Sequence, residues 1–315
     1  MTGAPPASLT VRVPAKINLE LVVGPLRADG YHDLATIFHA VSLYDELTVT
    51  PSPDWAVTVE GPYADLVPVD QGNLVLRAAR IYAEQVGVDE DEPHCHFHID
   101  KEIPVAGGMA GGSADAAAAL LAMDTFFGMN GDRDTIEFLA SELGSDVNFA
   151  LVGGTAIGSG RGEQVAPVLG RGKYHWVLVP SDEGLSTPRV FAELDRLRAE
   201  RGDTDVAAPQ PTPAMMQALR SGDVDALGAA LHNDLQEAAF SLQPRLRDVL
   251  AAGLEYGAKG GIVSGSGPTV AFLVDGPEGQ LDLAVALTAS GVAGDVKRAT
   301  GPVHGAHFVT TPRGR

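Results

Sequence analysis

The stretch PVAGGMAGGSADAAAALL, residues 104–121, constrains the fold more than any other part of the chain. Four glycines (Gly107, Gly108, Gly111, Gly112) lead into Ser113 and then into an alanine-rich segment of strong helix formers. Just upstream, the alternating residues 94–99 read as a strand, so the context is strand, glycine loop, helix. Glycines let backbone N–H groups come close to a ligand, and a helix N-terminus carries partial positive charge. Together they suit an anion such as phosphate. The loop lacks a Walker lysine and does not fit G-x-G-x-x-G in register, so an ordinary tight turn stays open at this point.

The chain is long enough for one large domain or two closely packed ones. Its 22 basic against 41 acidic side chains give a net charge of −19, which argues against broad contact with nucleic acid or an anionic membrane. A positive field for an anionic substrate must therefore be local. The single cysteine, Cys95, excludes an internal disulfide framework. With no hydrophobic signal segment and no 18-residue apolar span, the cytoplasm is the expected location.

Leu9, Val11 and Val13, then Ile17, Leu19, Leu21 and Val23, alternate in period two and predict two strands meeting near Pro14. Lys16 and Asn18 fall opposite that apolar set, where a lysine alone reads as solvated. Asp29-Gly30 signals a turn, and Tyr31-His32 after it sets a stacking ring beside an imidazole; in isolation the pair reads as turn packing. Residues 35–50 and 56–60 are β-rich, and Asn73 is placed to cap a helix reaching residue 86. His94, His96 and His98 share a strand face, but with no carboxylate or second cysteine at ligand spacing no metal site is expected there. Lys101 lies between this strand and the glycine loop.

An amphipathic helix is predicted over 133–143, ended by Gly144, with Asp146 opening a short connection to apolar residues 149–152. The strand-like run 153–165 closes the first half. The second half reads as a strand (174–180), a helix opening at Ser186-Thr187-Pro188, a surface loop (202–213), helices over 214–221, 224–231 and 246–256, two strands (261–264, 269–274) joined by a second glycine-rich turn, a helix near 281–290 and a last strand near 306–309. The irregular alternation predicts an α+β fold of two lobes, divided as residues 1–165 and 166–315.

Three segments, PAKINL (14–19) with DGYH (29–32), the loop 104–113, and VSGSG (263–267), resemble in order and separation the GHMP kinase superfamily, small-molecule kinases whose glycine-rich loop cradles ATP. The resemblance runs from about residue 9 to the last strand. It implies a two-lobed fold, with an N-terminal ATP-binding lobe like ribosomal protein S5 domain 2, a ferredoxin-like C-terminal lobe, and the active site in the cleft between them. It also implies that Asp146 takes the acceptor's proton with Lys16 beside it. PAKINL and RADGYHDL further resemble members whose small-molecule substrate is a cytidine diphosphate-linked methylerythritol. By that resemblance Tyr31 and His32 hold the cytosine with Phe191 on its other face, and Asn18 and Thr187 contact polar groups of the substrate.

On the donor side the resemblance gives the ATP phosphates to Gly107, Gly108, Met109, Ala110, Gly111, Gly112 and Ser113, flanked by Pro104, Val105, Ala106 and Ala114. Asn73 and Lys101 would lie near adenine and ribose. Mg²⁺ is expected as cofactor with its ligands unassigned, Ser113 being a candidate, and the chain is expected to be a monomer or weak homodimer. Family loops usually read G-L-G-G-G-S-S. Here Met109, Ala110 and Ala114 depart from that pattern, and Asp115 adds a negative charge in the first helical turn, which bears on ATP affinity. A kinase for homoserine, mevalonate or a sugar, and a ligand sensor on a kinase fold, are the competing readings.

Overall fold

The structure is a computed structural model that describes residues 6–87, 94–128, 133–203 and 205–309. The chain opens with two long antiparallel strands, β1 (Leu9–Leu26) and β2 (His32–Ser52). The two strands expected around Pro14 are one. A register shift between Pro14 and Ala15 takes up the proline, which cannot donate to the ladder, as bulges in strands commonly do. β3 (Ala56–Glu60) runs parallel to β4 (His94–Asp100) at the edge of this sheet. Between them, after a 3₁₀ turn (Ala64–Leu66), comes α1 (Leu74–Val86), capped by the Asn73 side chain and closed by left-handed Gly87.

The alanine-rich segment forms α2 (Gly111–Phe126), in which residues 116–119 are all fully buried. Small side chains all round allow a helix to sit between the sheet and its neighbours α1, α3 (Arg133–Leu143) and α4 (Val147–Val152). β5 (Thr155–Ser159) and β6 (Gln164–Pro167) extend the sheet beyond β2. β6 runs past residue 165, where the first half was expected to close.

The second lobe contains β7 (Tyr174–Val179), α5 (Thr187–Arg201), α6 (Pro213–Ser221), α7 (Val224–Ala230), β8 (His232–Asn233), α8 (Gln236–Leu242), α9 (Arg245–Glu255), β9 (Gly260–Val263), β10 (Val270–Val274), α10 (Gly276–Ala289), β11 (Lys297–Gly301) and β12 (His307–Phe308). Its four-stranded antiparallel sheet has the order β11-β7-β10-β9. β8 and β12 leave this lobe and pair with β1 in the first sheet. One hydrophobic cluster likewise runs from Val11 and Ile17 to Trp176, Ile262 and Leu273, so the lobes share a core. That shared core holds the middle of β1, the start of α2 and the turn between β9 and β10 around one cleft.

Candidate active site

Loop 104–110 enters α2 at Gly111 with Ala106 (φ 54) and Ala110 (φ 59) both in the left-handed region. An L-residue there costs on the order of 1 kcal/mol, so the loop holds real backbone strain. Ala110 stands at the N-cap without a side-chain cap, and Gly111, Gly112 and Ser113, as the first turn, have no carbonyl four residues earlier within the helix. All three line a cavity of about 370 Å³. An uncapped helix N-terminus open to a cavity is suited to an anion.

The other glycine turn holds this loop in place. Ser264 Oγ donates to the Gly108 carbonyl (3.0 Å), and the N–H groups of Thr269 and Lys16 donate to Gly107 O (3.3 Å) and Met109 O (3.2 Å). A Cβ on Gly108, whose φ is +74°, would stand 2.3 Å from Ser264 O. Gly265, at φ +57°, leaves room for Lys16 Nζ, which would be 3.3 Å from a Cβ there. The three sequence segments therefore meet at one point.

Lys16 is not a solvated strand lysine: it is 7 % exposed. Its ammonium donates to Asn18 Oδ1 (2.7 Å), lies 3.5 Å from Asp146 Oδ2 and sits over the Phe38 ring. Asn18 in turn donates to Thr36 Oγ1 (2.7 Å), whose hydroxyl donates to Glu20 O (2.7 Å). This chain fixes the amide so that its oxygen faces the ammonium. Asp146 occupies the N-cap position of α4, a helix where a connection was expected, yet its side chain makes no cap bond and is 29 % exposed. A carboxylate released from capping is free to face the cavity, which Lys16, Asn18, Asp146, Thr187 and Phe191 all line. Thr187 Oγ1 is 2.8 Å from Ser266 Oγ.

Phe191 lines the cavity, whereas Tyr31 and His32 do not; the buried His32 ring stacks on Phe191, centroids 5.5 Å apart. Its Nδ1 lies 3.0 Å from the Gly24 carbonyl, an acceptor only, so Nδ1 carries a proton; Nε2 lies 3.3 Å from Asp195 Oδ2. A base cannot enter between two rings this close, since two stacking contacts span about 7 Å. Phe191 and His32 thus act as one block, and Tyr31 is a separate ring, 53 % exposed, with the Arg161 guanidinium over one face.

Among the loop residues, Ala106, Gly107, Gly108 and Ala110 line the cavity with the first turn of α2, whereas Pro104, Val105, Met109 and Ala114 do not; Met109 is fully buried. Asn73 and Lys101 are not among the lining residues either. Asn73 spends both amide atoms on structure, accepting from Val75 N (2.8 Å) and donating to Pro68 O (2.6 Å), while its neighbour Leu74 lines the cavity. Lys101, 1 % exposed, bonds Asp45 Oδ2 (2.5 Å) and Asp115 Oδ2 (2.6 Å). Asp115 therefore turns inward to a cation, and its charge is not set against phosphate as the sequence implied. Burial, then the Asp115 carboxylate, push the Asp45 carboxyl up, while Lys101 and the Ile103 N–H work against that. With Oδ1 accepting two N–H groups and Oδ2 the ammonium, both oxygens act as acceptors and the group is held as a carboxylate. Burial works against the Lys101 charge, but Asp115 and Asp45 outweigh it and raise its pKa.

Sequence reading missed Asp45, an acid inside a β-rich run with no local signal. Ser266 was quoted only as part of the second glycine turn, and Leu185, Leu235 and Asp195 gave no signal at all. His96 and His98 each bond the Thr58 hydroxyl (3.0 and 2.9 Å), and no cluster of three metal-ligating side chains occurs among the described residues. In the cavity, the Asp146 carboxylate and the Ser113 hydroxyl are hard oxygen donors too few to cage a cation, which fits Mg²⁺ held chiefly by nucleotide phosphates and water.

Two family models match the chain, the GHMP kinases N-terminal domain over residues 73–154 and the GHMP kinases C-terminal domain over residues 215–293. A protein of Mycolicibacterium smegmatis named 4-diphosphocytidyl-2-C-methyl-D-erythritol kinase is 54 % identical over 307 residues, 97 % of this chain and 94 % of that one. A crystal structure of 4-(cytidine 5'-diphospho)-2C-methyl-D-erythritol kinase superposes with a TM-score of 0.73 at 32 % identity, covering 92 % of this chain and 98 % of the other. Mevalonate kinase of L. major, in complex with R-mevalonate, shares the fold at a TM-score of 0.75 and 16 % identity over 95 % of this chain and 98 % of its own. The chain belongs to the GHMP kinase family.

Proposed function

We propose that the protein uses ATP to phosphorylate the 2-hydroxyl of 4-diphosphocytidyl-2-C-methyl-D-erythritol, a step of the non-mevalonate route to isoprenoid precursors. The observation that carries the mechanism is the Lys16–Asp146 pair, 3.5 Å apart, in the same cavity as the uncapped start of α2.

The phosphates of the nucleotide dock on the N–H groups of Gly111, Gly112 and Ser113. Thr187, Ser266 and Asn18 offer polar atoms to the acceptor. As the acceptor oxygen attacks the γ-phosphorus, its O–H bond breaks and the proton passes to the Asp146 carboxylate. The P–O bond to the β-phosphate breaks and ADP leaves. Lys16, anchored by Asn18, stands beside both the carboxylate and the incoming oxygen and offsets the developing charge. Ser113 and Asp146 are the side chains that would help hold Mg²⁺ with the phosphates, and the ion would supply further charge neutralisation. Phe191, backed by His32, presents a ring to the cavity for the cytosine, and Tyr31, next to His32 in the chain, offers a second exposed ring.

The relative named above supports this acceptor, and the ring cluster favours one carrying a base over mevalonate or homoserine. ADP release should require the cytidylated alcohol; release at equal rate with the uncytidylated alcohol would assign the acceptor to the second class. No helix among the described residues is long and apolar enough to cross a membrane. We place the protein in the cytoplasm as a monomer or weak homodimer, which sedimentation at several concentrations tests.

A further inference from the structure

Beneath the loop, outside the reacting cavity, three charged side chains are sealed from solvent: Asp45 and Lys101 at 1 % side-chain exposure and Asp115 at 5 %. They reach both ends of the loop. Asp45 Oδ1 accepts the N–H groups of Glu102 (2.7 Å) and Ile103 (2.8 Å), the residues that lead into Pro104. Asp115 belongs to α2, five residues past Ala110, where the loop ends. Lys101 Nζ joins the two carboxylates and packs so closely on Gly111 that a Cβ there would stand 2.9 Å away. Taking three charges out of water costs several kcal/mol per ion, and apolar residues of similar volume frequently serve stability as well. What an apolar cluster could not supply is a fixed direction for the backbone on each side of the loop.

We propose that Asp45, Lys101 and Asp115 are positioning residues for the donor nucleotide, holding the entry and exit of loop 104–110 so that the N–H groups of Gly111, Gly112 and Ser113 converge on its phosphates. Lys101 then acts on the nucleotide through the loop and does not touch it. The inference rests on the reading that this loop takes phosphate.

The test measures ADP and AMP binding by calorimetry, with KM for ATP and for the cytidylated acceptor, in Asp45→Asn, Lys101→Met, their double variant, Asp115→Asn and Asp115→Ala. Asp45→Asn and Lys101→Met should each weaken ADP on the order of ten- to a hundredfold, as misplaced contacts do, and leave AMP and the acceptor unchanged within about twofold. The double variant should be no worse than the weaker-binding single, because the residues act as one unit. Asp115→Asn, which keeps an acceptor for Lys101, should retain ADP binding that Asp115→Ala loses; this pair decides the matter if Lys101→Met does not fold. Unchanged or tighter ADP binding in Asp45→Asn beside weaker binding in Lys101→Met would overturn the proposal in favour of direct contact. Lower melting temperatures with unchanged ADP affinity in every variant would reduce the triad to a structural role. Equal affinity of the wild type for ADP and AMP would sink the phosphate reading itself, whereas a wild-type preference for ADP that all variants keep sinks only the triad.

Discussion

Two buried lysines, 85 residues apart in the sequence, one within β1 and one just past the end of β4, meet aspartates in opposite ways. Lys101 lies within 2.6 Å of both its carboxylates, each of them almost fully sealed from water. Lys16 touches a neutral amide at 2.7 Å and stands 3.5 Å from one carboxylate that is 29 % exposed. The first arrangement holds its cation on fixed partners. The second leaves a cation and a part-exposed carboxylate side by side on the wall of a cavity. Burial alone does not separate the two lysines; the distance and exposure of their carboxylates do.

The contrast breaks most sharply on stability. Lys101→Met leaves two carboxylates buried together and should cost about 3–5 kcal/mol in chemical denaturation, while Lys16→Met, beside a part-exposed partner, should cost on the order of 1 kcal/mol or less. Equal losses would make the two sites the same kind of pair. On turnover the order should reverse, Lys16→Met lowering kcat roughly a hundredfold or more in folded protein.

A second buried base sharpens the comparison by pH. His39 is fully buried, with the Thr155 hydroxyl as its one side-chain hydrogen-bond partner among the described residues, and burial lowers its pKa to about 3. The unfolded chain binds this proton near pH 6.5 and the folded one does not. Stability should therefore be fully present above that pH and fall as pH drops from about 6.5 towards 3, by on the order of 4 kcal/mol from this group. His39→Gln should flatten that limb of the curve; an unchanged slope would remove His39 as its cause.

The smallest effect is expected at the base end. Phe191→Ala removes the ring packed on His32 and should raise KM for the cytidylated acceptor roughly tenfold, with a lesser change in kcat and none in KM for ATP. An effect on ATP instead would move the base to the donor side.

Much of this architecture was legible because its signals are local. Asn73 and Gly87 bracket α1, the alanines mark α2, and alternation marks β1 and β2 apart from the bulge that absorbs Pro14. Elements that depend on distant partners were not: β8 is two residues added to the flank of β1, α4 and α8 are short, and β11 carries charge in its first two positions. At the site, motif resemblance brought Lys16, Asp146 and the loop to one cavity. It misplaced Lys101, because sequence gives nearness to the loop but not which side of it a side chain takes. Asp45, the partner that decides the matter, lies 56 residues upstream in an unremarkable β run. Asp115 was misjudged for the same reason, its charge being visible in the sequence and its cation not.

The most direct test of the account is ADP release by Asp146→Ala at saturating ATP and cytidylated acceptor, with binding of both substrates measured alongside. The account predicts a fall in rate on the order of a thousandfold with both substrates still bound and the melting temperature preserved. A rate within about tenfold of the wild type would contradict the assignment of Asp146 as the group that takes the hydroxyl proton.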